Sequence, residues 1–184
     1  HEEMPRRSPE GNVFGFQLWV NLPAQQKMSQ PRYQEVSADS IPEAKLNGAT
    51  IRVVAGEIGG VRGPVTGIAA NPVYMDVRLE PGASYNQPIP EGHTVVAYVY
   101  QGRGEFGASG AARGEIVDAV RMIVFGDGDY LQVGTPPDSS LSFMLMAGMP
   151  FNEPIVPYGP FVMNTVEEIQ QTLNDLRNGT FVQG

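Results

Sequence analysis

Hydrophobic and polar residues alternate along much of the chain with a period of two, the pattern of a β-strand that buries one face. The clearest stretches are residues 13–22, where Phe14, Phe16 and Leu18 fall on one face, and residues 73–79. Further short apolar runs, separated by Gly, Pro, Asn and Asp, cover residues 33–36, 50–55, 94–100, 120–125, 130–133 and 141–147. This spacing predicts short antiparallel strands joined by turns, as in a sandwich or a barrel.

One segment near the C-terminus has the features of a helix. Thr165 can cap its first turn, Glu168 completes a capping box, and the pair Asn178-Gly179 is a typical helix end. An apolar stripe at helical spacing is formed by Val166, Ile169, Leu173 and Leu176. The sequence therefore predicts one helix over residues 165–178, and we expect it to pack on a sheet through that stripe.

The composition favours an all-β fold. The 22 glycines and 16 prolines among 184 residues supply many turns, and 41% hydrophobic residues are enough for a real core. A chain of this length fits one large domain or one and a half small ones. Because Pro23, Pro31 and Pro42 interrupt the early pattern, we expect a domain boundary near residue 36.

Charge and cysteine content exclude several functions. The chain has 20 acidic and 12 basic residues, a net charge of -8, so we expect no binding to nucleic-acid phosphates. It has no cysteine, which excludes disulfides, thiolate metal sites and cysteine nucleophiles in this chain. No apolar run reaches the roughly 18 residues that a membrane helix needs, so we expect no membrane partner.

The first three residues contain a candidate metal-binding pair. His1 and Glu3 are two residues apart, so on an extended backbone their side chains leave the same face. Imidazole nitrogen and carboxylate oxygen suit iron or manganese in sites that activate oxygen. A copper site built on the α-amino group and ring of His1 is disfavoured, because such enzymes are secreted and usually disulfide-linked. His-x-Glu alone is a common surface pair, and its meaning depends on context.

Five stretches spread from end to end resemble the pirin family. They are HEEMP (1–5), FQLWVNLP (16–23), QPRYQEV (30–36), QPIPEGH (87–93) and GPFVMNTVEEIQQ (159–171). Pirins resemble two cupin β-barrels in tandem, and the resemblance begins partway through the first. Since the first residue is His1 and not Met, we expect a longer parent chain whose N-terminal strands are missing here.

The resemblance implies an all-β, cupin-type antiparallel β-barrel, or jelly-roll-like sandwich, with one C-terminal α-helix. Residues 1–36 correspond to a C-terminal remnant of the first, metal-binding cupin. Residues 37–184 correspond to a complete second cupin that ends in the helix over 165–178.

The resemblance also implies an iron site. In pirins one iron is held in the first barrel by three histidines and one glutamate, of which the HEEMP-like segment supplies one each; these correspond to His1 and Glu3. The other two histidines belong to a His-x-His segment upstream. We therefore expect Fe(II) in the full-length parent and no tightly held metal in this chain. His93 lacks the further histidines of a cupin metal motif, so we expect a structural role for it and a metal-free second barrel.

By the same resemblance, the full-length parent is expected to be an iron-dependent flavonol (quercetin) 2,3-dioxygenase that takes a small aromatic substrate. Glu3 would be both ligand and catalytic base, and this chain alone is expected to be inactive. The alternative is a non-enzymatic, redox-sensitive transcription coregulator that acts through protein partners. Exposed edge strands predict a homodimer. The expected location is the cytoplasm, or also the nucleus if the source is a eukaryote.

Overall fold

The computed structural model describes residue 9, residues 11–107 and residues 114–182. Within these ranges the chain forms thirteen strands, two short 3-10 helices (Ala24–Gln26 and Ala38–Ser40) and one α-helix. The strands are β1 Glu43–Leu46, β2 Ala49–Ala55, β3 Glu57–Ile58, β4 Val61–Arg62, β5 Val73–Leu79, β6 Ser84–Pro88, β7 Thr94–Phe106, β8 Glu115–Asp118, β9 Arg121–Val124, β10 Tyr130–Gly134, β11 Leu141–Gly148, β12 Val156–Tyr158 and β13 Phe161–Met163. The helix, α1, spans Val166–Asn178.

Nine strands form one antiparallel sheet that curls into a nearly closed barrel, which confirms the expected all-β architecture. Its order is β1-β2-β5-β11-β7-β10-β6, and β8 and β9 also pair with β7. The long β7 therefore belongs to both sides of the barrel: its first half pairs with β11 and β9, and its second half with β8 and β10. Gly102 lies where β7 passes between them, at φ +73°, and a Cβ there would collide with the carbonyl oxygen of Ser140.

Alternate residues of the strands fill the barrel, as the period-two pattern predicts. Ile51, Met75, Val99 and Phe143, from four adjacent strands, are all fully buried. The residues between them point to the other side of the sheet, which we call the outer face. The outer face carries Arg52, Tyr74, Asp76, Arg78, Val96, Tyr98, Tyr100, Ser142, Met144 and Met146.

The predicted strands at residues 13–22 and 33–36 are wrong. Residues 11–37 contain no strand; apart from the 3-10 helix Ala24–Gln26 they form turns and irregular backbone. A strand needs a hydrogen-bonding neighbour, and no described strand pairs with this segment. Phe14 and Phe16 pack against the outer face while remaining 78% and 40% exposed.

The predicted C-terminal helix is confirmed, and it packs on the β12–β13 hairpin. The Thr165 hydroxyl accepts from the Glu168 backbone N–H, and Gly179 ends the helix in the left-handed conformation. The predicted apolar stripe is only partly right. Ile169 and Thr172 are the buried positions, whereas Val166 and Leu176 stay exposed. No helix in the described ranges has the length and apolar character needed to cross a membrane.

Candidate functional site

The predicted metal ligands His1 and Glu3 lie outside the described residues. Across residues 11–107 and 114–182, no group of three or more His, Cys, Asp or Glu side chains is placed to hold a metal ion.

A satisfied polar pair sits inside the barrel. The Tyr85 hydroxyl donates to Gln87 Oε1 at 3.1 Å, and Gln87 Nε2 donates to the carbonyl oxygens of Glu57 and Pro88 at 3.3 and 2.9 Å. The Tyr85 ring also meets the ring of Phe143 edge-on. Burial raises the pKa of Tyr85, which keeps the hydroxyl neutral. Among the described residues, this interior is packed core rather than a set of free ligands.

His93, just before β7, makes one hydrogen bond through its ring. Its Nε2–H donates to the carbonyl oxygen of Asn71 at 3.1 Å, while the buried Nδ1 has no hydrogen-bond partner. The bond ties the turn before β7 to the loop before β5. This geometry agrees with the expected structural role.

The outer face contains a groove of about 650 Å³ between the sheet and the segment around Phe14 and Phe16. We call it the outer groove. Its lining brings together residues that are distant in sequence: Arg52 from β2, Asp76 and Arg78 from β5, and Tyr100 from β7.

Asp76 is the centre of the polar cluster in the outer groove. Its Oδ1 accepts from the Tyr100 hydroxyl at 2.6 Å, and its Oδ2 accepts from Arg78 Nη2 at 3.0 Å. Burial, with the hydrogen bond to Asp76 adding to it, raises the pKa of Tyr100, so this hydroxyl remains a donor at neutral pH. The Asp76 side chain is only 17% exposed, but that of Arg78 is 59% exposed. The carboxylate is thus occupied on both oxygens while the guanidinium stays accessible.

An aromatic cluster forms the wall of the outer groove. The Phe16 ring lies 5.5 Å from that of Tyr98 and 5.6 Å from that of Tyr100, and the Phe14 ring lies 5.8 Å from that of Tyr100. The pairs Phe16–Tyr98 and Phe14–Tyr100 are edge-to-face and Phe16–Tyr100 is tilted, and aromatic pairs at these distances are attractive. These contacts hold the N-terminal segment on the sheet without backbone pairing.

A hydrogen-bond bridge also ties this segment to the C-terminal helix. Glu153 Oε2 accepts from the backbone N–H of Ala24 at 2.7 Å and from Asn164 Nδ2 at 3.1 Å. Asn164 also donates from its side chain to the carbonyl oxygen of Pro154, and from its backbone to the Glu168 carboxylate that completes the helix cap. The bridge therefore spans 129 residues of sequence.

Sequence reasoning did not find the outer groove. Alternation over residues 73–79 did place Asp76 and Arg78 on the face opposite the core. Their neighbours depend on strand order and register, such as the pairing of Arg52 with Asp76 between β2 and β5. No local pattern encodes the approach of Tyr100, which reaches the cluster from β7 across the intervening β11.

A curled antiparallel barrel of this topology, with a packed interior and a C-terminal helix, defines a cupin-type protein. Residues 74–182 match the family described as the pirin C-terminal cupin domain. The chain is 40% identical over 180 residues to a pirin-like protein from Solanum lycopersicum, and 39% identical over 178 residues to Pirin from Homo sapiens. Each match covers 97% of this chain and 60% of the relative. The chain therefore belongs to the pirin family, as its sequence motifs predicted.

A solved structure supports the same fold. The chain is similar to a quercetin 2,3-dioxygenase from Acinetobacter baumannii, with 34% identity and a TM-score of 0.72. The match covers 89% of this chain and 55% of the enzyme. The chain thus spans 55–60% of the length of these three proteins.

Proposed function

We propose that the full-length protein is an iron-dependent dioxygenase that opens the ring of quercetin-like flavonols with molecular oxygen. The observation that carries the proposal is the similarity, at 34% identity over 89% of this chain, to a quercetin 2,3-dioxygenase. The HEEMP-like segment adds ligand chemistry suited to iron. A flavonol is the small aromatic substrate that the family resemblance implies.

In this proposal His1 and Glu3 are two of the four iron ligands, and a His-x-His segment outside this sequence supplies the others. The donor set fits the metal, because imidazole and carboxylate ligands hold iron while leaving positions open. Bound iron would supply positive charge that stabilises the deprotonated flavonol. Glu3 would take the proton from the flavonol hydroxyl. With only two of these ligands, this chain by itself would hold iron weakly and lack activity.

We assign the two parts of the chain different roles. Residues 1–36 would belong to a first, catalytic cupin, and residues 37–184 to a second, metal-free cupin. The match of residues 74–182 to the pirin C-terminal cupin domain supports the second part of this assignment. The aromatic contacts of Phe16 and the Glu153 bridge fasten the early segment to the second barrel at two places. The second barrel would then act as the rigid support for the segment that carries His1 and Glu3.

Turnover by the full-length, iron-loaded protein tests the proposal. We expect loss of the flavonol absorption band with equimolar uptake of oxygen. The Glu3→Gln variant should lose turnover, while Glu91→Gln, an equal charge change on the exposed turn before β7, should retain it. Iron-loaded, folded protein that consumes neither flavonol nor oxygen would refute the dioxygenase assignment.

A second candidate is a redox-sensitive transcription coregulator in the cytoplasm or nucleus. One observation favours a protein partner: β9 and the turn before it expose Val120, Met122 and Val124, each at least 65% accessible. The net charge of -8 suits a basic protein partner better than DNA. Iron-dependent binding of such a partner, without flavonol turnover, would favour this candidate over the first.

A further inference from the structure

We propose that the outer groove binds a small, flat aromatic molecule that carries one negative charge, such as an aromatic carboxylate. This inference does not depend on the dioxygenase proposal, since none of the lining residues is a predicted iron ligand. It rests on the charge balance, the aromatic wall and the size of the groove.

The charge balance of the groove favours an anion. Arg52 and Arg78 both line it; Asp76 is the carboxylate in the lining, and that of Glu43 lies outside the lining, 4.0 Å from Arg52. Both oxygens of Asp76 already accept hydrogen bonds, so it repels an incoming anion less than a free carboxylate would. The hydrogen bond to Tyr100 and the charge of Asp76 raise the pKa of Arg78, which stays cationic.

Both arginines keep donors for a ligand. A guanidinium has five N–H donors. In the described chain, Arg78 donates to Asp76 Oδ2 and also has a side-chain hydrogen bond with the Tyr100 hydroxyl, which leaves further N–H groups for a ligand. Arg52 donates one hydrogen bond, to the carbonyl oxygen of Ala38 at 2.7 Å, and lies 4.0 Å from the Glu43 carboxylate. The planar fork of a guanidinium matches the two oxygens of a carboxylate.

The wall of the groove favours an aromatic ring. Phe14 is 78% exposed although it lies against Tyr100, so one side of its ring is open to a ligand. Met144 lies on the floor and adds a polarisable apolar surface. Phe14 and Met144 line the same groove as Arg78, so one ligand can contact the apolar wall and the guanidinium together.

Size and overall charge restrict the occupant to a small molecule. A volume of about 650 Å³ lies within the range typical of small-molecule sites. The net charge of -8 repels a polyanion in proportion to its charge, so a nucleic acid is disfavoured. A ligand with one negative charge pays little of this cost and can accept hydrogen bonds from the remaining donors of two arginines.

A titration followed by NMR tests the proposal with the chain as it is. The probe is 2-naphthoate, and the matched neutral probe is 2-naphthamide. We expect saturable shifts for the amides of Gln101, Ser142 and Met144, which line the groove, at millimolar naphthoate. The neutral naphthamide should bind about tenfold more weakly, because its carbonyl can accept from a guanidinium but lacks the attraction between opposite charges.

Two variants should change the affinity in opposite directions. Arg78→Gln should weaken naphthoate binding about tenfold, through the loss of a charged donor. Asp76→Asn should strengthen binding severalfold, because it removes the negative charge from the floor. Arg103→Gln is the control: it makes the same charge change at an exposed site on the same β7 that carries Tyr100, outside the groove lining.

The results of these titrations distinguish binding at the outer groove from its absence. Shifts at the groove, weakened by Arg78→Gln and strengthened by Asp76→Asn, support the site. Equal affinity for naphthoate and naphthamide, shifts confined to another surface, or no saturable shift at millimolar probe would overturn it. If Arg78→Gln fails to fold, the sign of the Asp76→Asn effect still decides.

Discussion

The Glu153 bridge predicts how firmly the N-terminal segment is held on the barrel. Glu153→Ala removes the acceptor of both the Ala24 N–H and the Asn164 side chain. Ala24 is exposed and regains water, and Asn164 keeps its bond to the Pro154 carbonyl. The substitution therefore removes two solvent-accessible hydrogen bonds to a charged acceptor. We expect this to lower the stability of the closed turn by about 2 kcal/mol in total.

The assay is limited trypsin digestion after Lys27, which directly follows the 3-10 helix Ala24–Gln26. Cleavage there requires the turn to open, and in the fast-opening regime its rate follows the population of the open form. A change of about 2 kcal/mol corresponds to about thirtyfold faster cleavage in Glu153→Ala. Glu153→Gln retains a neutral acceptor and should fall between this variant and the unsubstituted chain.

The control is Glu91→Ala, an equal change on the exposed turn before β7. It should leave cleavage after Lys27 unchanged. Equal cleavage rates for Glu153→Ala and the unsubstituted chain would refute the reasoning, because they would mean that the bridge does not hold the turn closed.

Three further predictions concern the buried core, the Tyr85 hydroxyl and the exposed strand β9. Phe143→Ala empties a fully buried site and should lower the free energy of unfolding in urea by about 3–5 kcal/mol; a loss under about 1 kcal/mol would contradict the packing. Burial raises the pKa of Tyr85 above its unfolded value near 10, so its contribution to stability is complete below about pH 10 and is lost as pH rises further. Tyr85→Phe should therefore flatten the fall in urea midpoint between about pH 10 and 12, and an unchanged slope would contradict this. The exposed edge strand β9 predicts a dimer in size-exclusion chromatography that Val124→Lys disrupts; a compact monomer at all concentrations would count against it.

Patterns that depend only on neighbouring residues predicted the structure well. Alternation located the strand over residues 73–79 with its observed bounds, because that strand lies inside the sheet and buries one face against the core. The helix was equally clear, since the Thr165–Glu168 capping box and Gly179 are local signals. Neither the strand nor the helix requires information about residues distant in the sequence.

Elements whose structure depends on residues distant in the sequence were predicted less well. Residues 13–22 alternate as regularly as residues 73–79, yet they form no strand because no described strand lies beside them. Their apolar side chains instead meet aromatic residues of β7, as Phe16 does with Tyr98. The predicted helix stripe was only partly right for the same reason: how far Val166 and Leu176 are buried depends on which other elements pack against α1.

The two candidate sites show the same difference between local and long-range information. His1 and Glu3 were found through a motif, and their assignment as iron ligands stays a prediction. The outer groove could not be found, because it requires the register that sets Arg52 beside Asp76 and the strand order that brings Tyr100 to them.

The iron content of the full-length protein tests the central claim most directly. After anaerobic loading and removal of loose metal, elemental analysis should find a single iron per chain in the unsubstituted protein. The His1→Ala and Glu3→Gln variants should each lose most of it while keeping their fold by circular dichroism. Full iron occupancy in the doubly substituted protein would contradict the account, because the metal would then be held by other residues.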